Sequence, residues 1–159
     1  MSLRYKLNRV FRDVFCKVDS QEKLFDDFMN FEIPSYIIDR LQKDYNVPDE
    51  KIEQIVIDFK LYFSLFIISE RKVYAMPGNI KEVDDLWHVY LLYTNEYSFF
   101  CNKFFGRFIR HIPDNSVVGF NQELANSNMK NTWDGLVMFK NLYDYKYDFD
   151  FLNLFNNIK

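Results

Sequence analysis

His88, Cys101 and His111 carry most of the chemistry that this chain of 159 residues offers. They fall in one aromatic segment, Val83 to Pro113, which holds both histidines and one of the two cysteines. Imidazole and thiolate bind metals and perform acid–base or nucleophilic work. Asp84 stands four residues before His88, so on a helix the two share a face. Tyr97 and Cys101 have the same spacing on the next stretch. If two helices broken near Thr94 form a hairpin, His88 and Cys101 approach each other, and His111 arrives from the segment after Gly106. Asp84, His88, Cys101 and His111 then form a reasonable zinc set, because imidazole and thiolate suit that ion and four donors complete a tetrahedron.

Other readings of the same residues stand beside this one. The spacing H-x12-C-x9-H lacks the C-x2-C knuckle of a zinc finger, so spacing alone does not select a metal. Cys101, flanked by Phe99, Phe100, Phe104 and Phe105, also reads as a small buried hydrophobe. His88 then reads as a core histidine whose tautomer is set by Asp84. A Cys–His nucleophile pair needs a thiolate in an electropositive, partly exposed pocket. Lys103, Arg107 and Arg110 provide charge, but the phenylalanines around Cys101 argue for burial. The chain has no Ser–His–Asp motif, Gly-rich phosphate loop or H-E-x-x-H pattern. Asp26 and Asp27 are adjacent, as are Asp84 and Asp85, so the members of each pair point differently on a helix; the first pair reads as a solvated face.

The elements that must position these groups read as helices. Four glycines and four prolines in the whole chain leave few breaks. Leu7, Val10, Phe11 and Val14 have helical spacing in a first segment, about 3–15. Asp19 or Ser20 can cap a second running to about Asn30, with Leu24, Phe25 and Phe28 on one face. Pro34 fits the first turn of a third, Ser35 to Tyr45, with Ile37, Ile38 and Leu41 inward. From Val47-Pro48-Asp49-Glu50 onward, Ile52, Ile55, Val56, Phe59, Tyr62, Phe63, Phe66 and Ile67 recur at three and four residues. That is the strongest helical period in the chain, and beyond Leu61 it becomes apolar nearly all round, as a central core helix does. Met76-Pro77-Gly78-Asn79 is a break. Helices are expected over Lys81 to Tyr93 and, capped by Thr94, over Asn95 to Phe105, stopped at Gly106. The polar stretch 114–131 reads as a long loop with a short helix around Gln122 to Ala125, before a last helix from Trp133 to Tyr143. Trp87 and Trp133 read as core anchors. Tyr143 to Phe151 alternates aromatic and polar residues, a strand period with no partner strand, and is expected as an extended tail.

Composition bounds the rest. The chain is 48% hydrophobic and 27% charged, which suits a folded domain rather than a disordered one. Eighteen Phe and eleven Tyr stand beside abundant Asn, Ile and Lys and scarce Ala, the bias of an AT-rich coding sequence. Rings that numerous fill a core before they mark binding platforms. A net charge of −3 without a long basic run argues against a broad nucleic-acid or anionic-membrane surface. No apolar run is long enough to span a bilayer, and the N-terminus lacks the pattern of a secretory signal. Two cysteines make no disulfide framework and fit a reducing, cytoplasmic setting.

The residues of the central segment form a wider pattern. Ala75-Met76-Pro77, Val83-Asp84-x-x-Trp87-His88, Leu91, Leu92, Thr94, Tyr97, Phe100-Cys101, Phe105-Gly106-Arg107-Phe108, His111 and Pro113 resemble an uncharacterised bacterial family. That family is related to the glycine-rich-domain-containing-protein-like proteins and carries a V-D-x-x-W-H…Y-x-x-F-C…F-G-x-F-x-H-x-P signature. The likeness is strong over Met76 to Pro113 and thinner through the preceding helix, Trp133 and Leu152-x-Leu154-Phe155. Arg110 takes the place of the first of two consecutive histidines in the pattern. The resemblance implies that Asp84, Trp87, His88, Cys101 and His111 act as one unit, supported by Tyr97 and Arg110, either as a metal site or as a buried polar network. It implies no reaction.

The expectation is one all-α domain over 1–159, a bundle of six or seven helices with the 76–113 segment at its centre and an extended aromatic and acidic tail, 143–159. Its function is expected to lie in an Asp/His/Cys/His metal or buried polar site, with zinc as the candidate ion. The alternative is a non-enzymatic protein-binding module, an inhibitor or regulator in a bacterial or phage setting, working through its aromatic surface and tail. The small size and lack of a cofactor motif weigh towards a protein that is not an enzyme.

Overall fold

The computed structural model describes residues 21–68, 74, 76, 81–111 and 122–143. The chain divides into two units, Met1–Glu32 and Ile33–Lys159. In the first, helix α1 spans 21–29. It closes with Asn30 N–H donating to the Asp26 carbonyl at 3.0 Å and Phe31 N–H to that of Phe28 at 3.1 Å. Phe25 and Phe28, at i and i+3, are buried, while Leu24 is half-buried. The expected helix over 3–15 and the cap at Asp19 or Ser20 lie outside the described residues, as do the Pro77-Gly78 break and the alternating tail.

The second unit is an all-α bundle, and no strand occurs among the described residues. Helix α2, Ser35–Tyr45, has the expected bounds and buries Ile37 and Leu41. Pro34 is its N-cap rather than a residue of its first turn. There the proline's missing N–H costs nothing, and its carbonyl accepts from Ile37 N–H at 2.9 Å. Asn46 ends the helix in the left-handed conformation, φ 54°, one of the few non-glycine types that tolerate it.

Helix α3, Asp49–Ile68, is the centre of the unit and packs on α4 (Lys81–Leu92), α5 (Thr94–Phe105) and α6 (Gln122–Tyr143). Leu61, Tyr62, Phe63, Ser64 and Leu65 are consecutive and all buried, so helix surrounds them on every side. The one hydroxyl among the last three, Ser64 Oγ, donates back to the Leu61 carbonyl at 2.6 Å. Phe63 meets Phe59 at 4.3 Å, Trp87 at 4.9 Å and Phe100 at 5.7 Å between ring centroids. Each such ring pair adds about 0.5–1.5 kcal/mol beyond its buried area, so the aromatic richness works as core packing.

Helix α4 also packs on α2, and it leads almost directly into α5. At the joint Tyr93 N–H donates to the Tyr90 carbonyl, and Tyr97 N–H to that of Tyr93. Tyr93 is therefore the N-cap of α5, with no side-chain cap bond, and Thr94 is its first helical residue rather than its cap. Gly106 stops α5 as expected, at φ 62°. An added Cβ there meets nothing within 4 Å, so the position demands the left-handed backbone and not the space.

Helix α6 corrects the expected loop. Residues 126–131, read as part of a long loop from their Asn and Ser content, are continuous helix from Gln122 to Tyr143. Low intrinsic propensity, a few tenths of a kcal/mol per residue, is overridden by packing on α3. Thr132, Gly135 and Leu136, at i, i+3 and i+4, are buried together. Gly135 sits so close to α3 that a Cβ there would lie 2.8 Å from Leu65 Cδ2. Thr132 Oγ1 bonds the Asn128 carbonyl at 3.1 Å, and Lys130 pairs with Asp134 at 2.6 Å on the outer face. Trp133 is only half-buried, whereas Trp87 is a core residue as expected. No described helix is long and apolar enough to cross a membrane.

Candidate metal centre

Asp84 and His88 face the same way because they are one helical turn apart on α4. The chain then leaves α5 through Gly106 and runs back along α4. Phe108 packs edge-on against the Tyr97 ring at 5.1 Å, and Ile109 is buried. Tyr97, wholly buried, is the fixing point. Its hydroxyl accepts from Trp87 Nε1 at 2.9 Å and donates to the Ile109 carbonyl at 2.6 Å. With Ile109 held, His111 two residues on lies over α4. Its Nε2 reaches Asp84 Oδ1 at 2.6 Å, and its ring meets the edge of Trp87 at 4.5 Å and the ring of His88 at 4.4 Å.

The result is a cluster in which Asp84, His88 and His111 each place a donor atom within 4.8 Å of the others. His88 Nδ1 lies 3.5 Å from Asp84 Oδ2, an ion-pair distance rather than a hydrogen bond. Exposure is graded across the cluster: the His111 side chain is 12% accessible, Asp84 30% and His88 42%. Asp84 also lies near enough to the buried Tyr62 hydroxyl to help hold its proton, after burial itself.

Cys101, counted with these three on sequence grounds, stands apart from them. It is completely buried. Burial pushes its thiol up, opposed by the Ile109 backbone and the nearby Tyr97 hydroxyl. The same burial, with Cys101 alongside, raises the Tyr97 phenol. A buried thiol of this kind is not the exposed thiolate that nucleophilic catalysis needs. Cys101 therefore belongs to the Trp87–Tyr97–Ile109 network behind the cluster, and Arg110 is exposed beside it.

Two interactions around the site were not read from the sequence, the pairing of Asp85 with Lys81 and the role of the Ile109 backbone. Asp85 is buried and takes both oxygens to Lys81 Nζ, at 2.7 and 2.9 Å; the i, i+4 spacing was the available signal. The Ile109 backbone, which takes the Tyr97 proton and approaches Cys101, left no mark in the sequence, because a backbone group has no residue type. Among the described residues no buried side-chain nitrogen or oxygen lacks a partner, and the Asp84–His111 hydrogen bond joins α4 to the segment after α5.

Neither a curated protein nor a solved structure matches the chain. A family model described as UCP032817-like matches residues 21–147, a span that holds all six described helices and the whole Asp84–His88–His111 cluster. With that much of its length matched, the chain belongs to the UCP032817-like family.

Proposed function

We propose that this protein binds a divalent transition-metal ion, zinc first, through Asp84, His88 and His111. The supporting observation is the convergence of the three donors from α4 and from the segment after α5. Donors held about 2.0–2.2 Å from a tetrahedral ion lie about 3.3–3.6 Å apart. Of the present separations from Asp84 to the two imidazoles, 3.5 Å to His88 falls in that range and 2.6 Å to His111 lies below it. Binding then needs a small opening of the Asp84–His111 pair, with His111 Nε2 presented as an acceptor. The competing reading of the same residues is a hydrogen-bonded polar network without an ion. Metal analysis of untagged protein separates them. About one equivalent of bound metal, and a melting temperature that rises with added zinc, are expected. Ligand at a hundredfold excess over its Kd adds about 2.7 kcal/mol. Less than a tenth of an equivalent, with no stabilisation on adding zinc, iron or manganese, overturns the proposal.

A second reading, a non-enzymatic protein-binding module, is supported by Leu92 and Phe99, which are 66% and 60% exposed. Co-purification with the product of a neighbouring gene, lost in the Leu92→Ser/Phe99→Ser variant, checks it. The kinship with glycine-rich-domain-containing-protein-like proteins and a cytoplasmic setting belong to the same proposal, carried by the signature residues and by the two cysteines.

A further inference from the structure

We infer that the centre is open and Lewis-acidic: the described residues contribute three donors, and a small oxygen anion from solution, a carboxylate or phosphate, completes the shell. This rests on the metal reading above. Four observations carry it. The fourth donor that the sequence offered, Cys101, is wholly buried and does not fall within the group of converging donor atoms. Asp85, next to Asp84 in sequence, is tied to Lys81 at 2.7 Å, and among the described residues no other His, Cys, Asp or Glu joins the three. The graded exposure gives the centre one walled side and one wet side. Trp87 closes the inner edge against His111, while His88 faces solvent. Charge supplies the ligand class. One carboxylate and two neutral imidazoles leave a divalent ion with a net charge of about +1, whereas a cysteinate in the set would have cancelled it. A residual positive charge at a half-exposed site favours an anion over a neutral ligand.

Structural zinc sites are closed by four protein donors, whereas catalytic ones keep three and leave a position for an exchangeable ligand. Two imidazoles with one carboxylate are also the donor set of open non-haem iron centres. The arrangement here is of that three-donor kind.

The test is cobalt substitution of the full-length, untagged chain. The visible bands of bound Co(II) should shift saturably on titration with azide as reporter anion, and again with acetate or inorganic phosphate. Cys101→Ala should leave the position of the bands unchanged, since no sulfur enters the shell, and His88→Ala should lose the bands. Cobalt bands that azide leaves unmoved, or a sulfur-to-cobalt charge-transfer band that disappears in Cys101→Ala, overturn the open centre while leaving the metal reading in place. Failure to bind cobalt or zinc at all overturns both.

Discussion

Tyr97→Phe removes one oxygen atom and should do two separable things. The Tyr97 hydroxyl is wholly buried and sits between Trp87 Nε1 at 2.9 Å and the Ile109 carbonyl at 2.6 Å. Phenylalanine fits the same space, so the packing against Tyr90, Phe100 and Phe108 is retained. What is lost is an acceptor for one buried N–H and a donor to one carbonyl. A buried group left without its partner costs about 1–3 kcal/mol, with carbonyls at the lower end because they keep a second lone pair. The expected destabilisation is therefore about 2–4 kcal/mol, or a fall in Tm of roughly 5–15 °C for a chain of this length. Urea unfolding measures it, with the midpoint lowered and the m-value unchanged. The second effect is local. Ile109 lies two residues before His111, so releasing its carbonyl loosens the approach of His111 to Asp84 and weakens zinc affinity about tenfold or more, as loss of an outer-shell bond commonly does. Combining the change with Trp87→Phe should give less than the sum of the two losses, because both remove the same bond. A destabilisation below about 0.5 kcal/mol, within the range of ordinary surface substitutions, would refute the bonding argument. Full destabilisation with unchanged zinc affinity would refute the link from Ile109 to His111.

The remaining expectations concern other parts of the unit. Gly135→Ala should lower stability by about 1 kcal/mol, because the overpacking of a Cβ 2.8 Å from the buried Leu65 outweighs the gain in helix propensity; a higher Tm would show that α3 and α6 separate freely. Asp58 is half-buried, and burial raises its carboxyl, aided by Glu82 and opposed by the Gln54 hydrogen bond. A raised folded pKa means that Asp58 contributes stability below the ordinary carboxylate range and loses it as pH rises through the folded value. Asp58→Asn should therefore be more stable than the parent chain at pH 7 and lose that advantage at pH 4, measured by urea unfolding at both. An advantage that persists at pH 4 would assign the effect to packing. The Cys101 thiol, raised by burial, should react with a disulfide reagent far more slowly in the native protein than in urea. Rapid native labelling would contradict the burial.

The helices that α4 packs against were legible because their apolar residues repeat every three to four positions over a long enough run. Ser35–Tyr45 and Asp49–Ile68 have such periods, and the apolar run after Leu61 identified the central helix before any contact was known. Gly106 was readable for a different reason, since a left-handed stop has few residue types to choose from. Residues 126–131 of α6 were not readable, because they have weak propensities of their own and are the earlier part of a helix whose buried residues, Thr132, Gly135 and Leu136, follow them.

Within the site, the sequence by itself determined which residues share a turn: Asp84 with His88, and Tyr97 with Cys101. Both pairs interact in the fold, because i, i+4 neighbours meet whatever surrounds the helix. Which neighbour each pair faces was decided only by the tertiary structure. The packing of α4 on α5 and the return of the chain after Gly106 bring His111 onto Asp84 and leave Cys101 on the dry side, behind Tyr97. A pattern of residue types cannot distinguish those two sides, since a cysteine can be a ligand or a buried hydrophobe and only its surroundings choose.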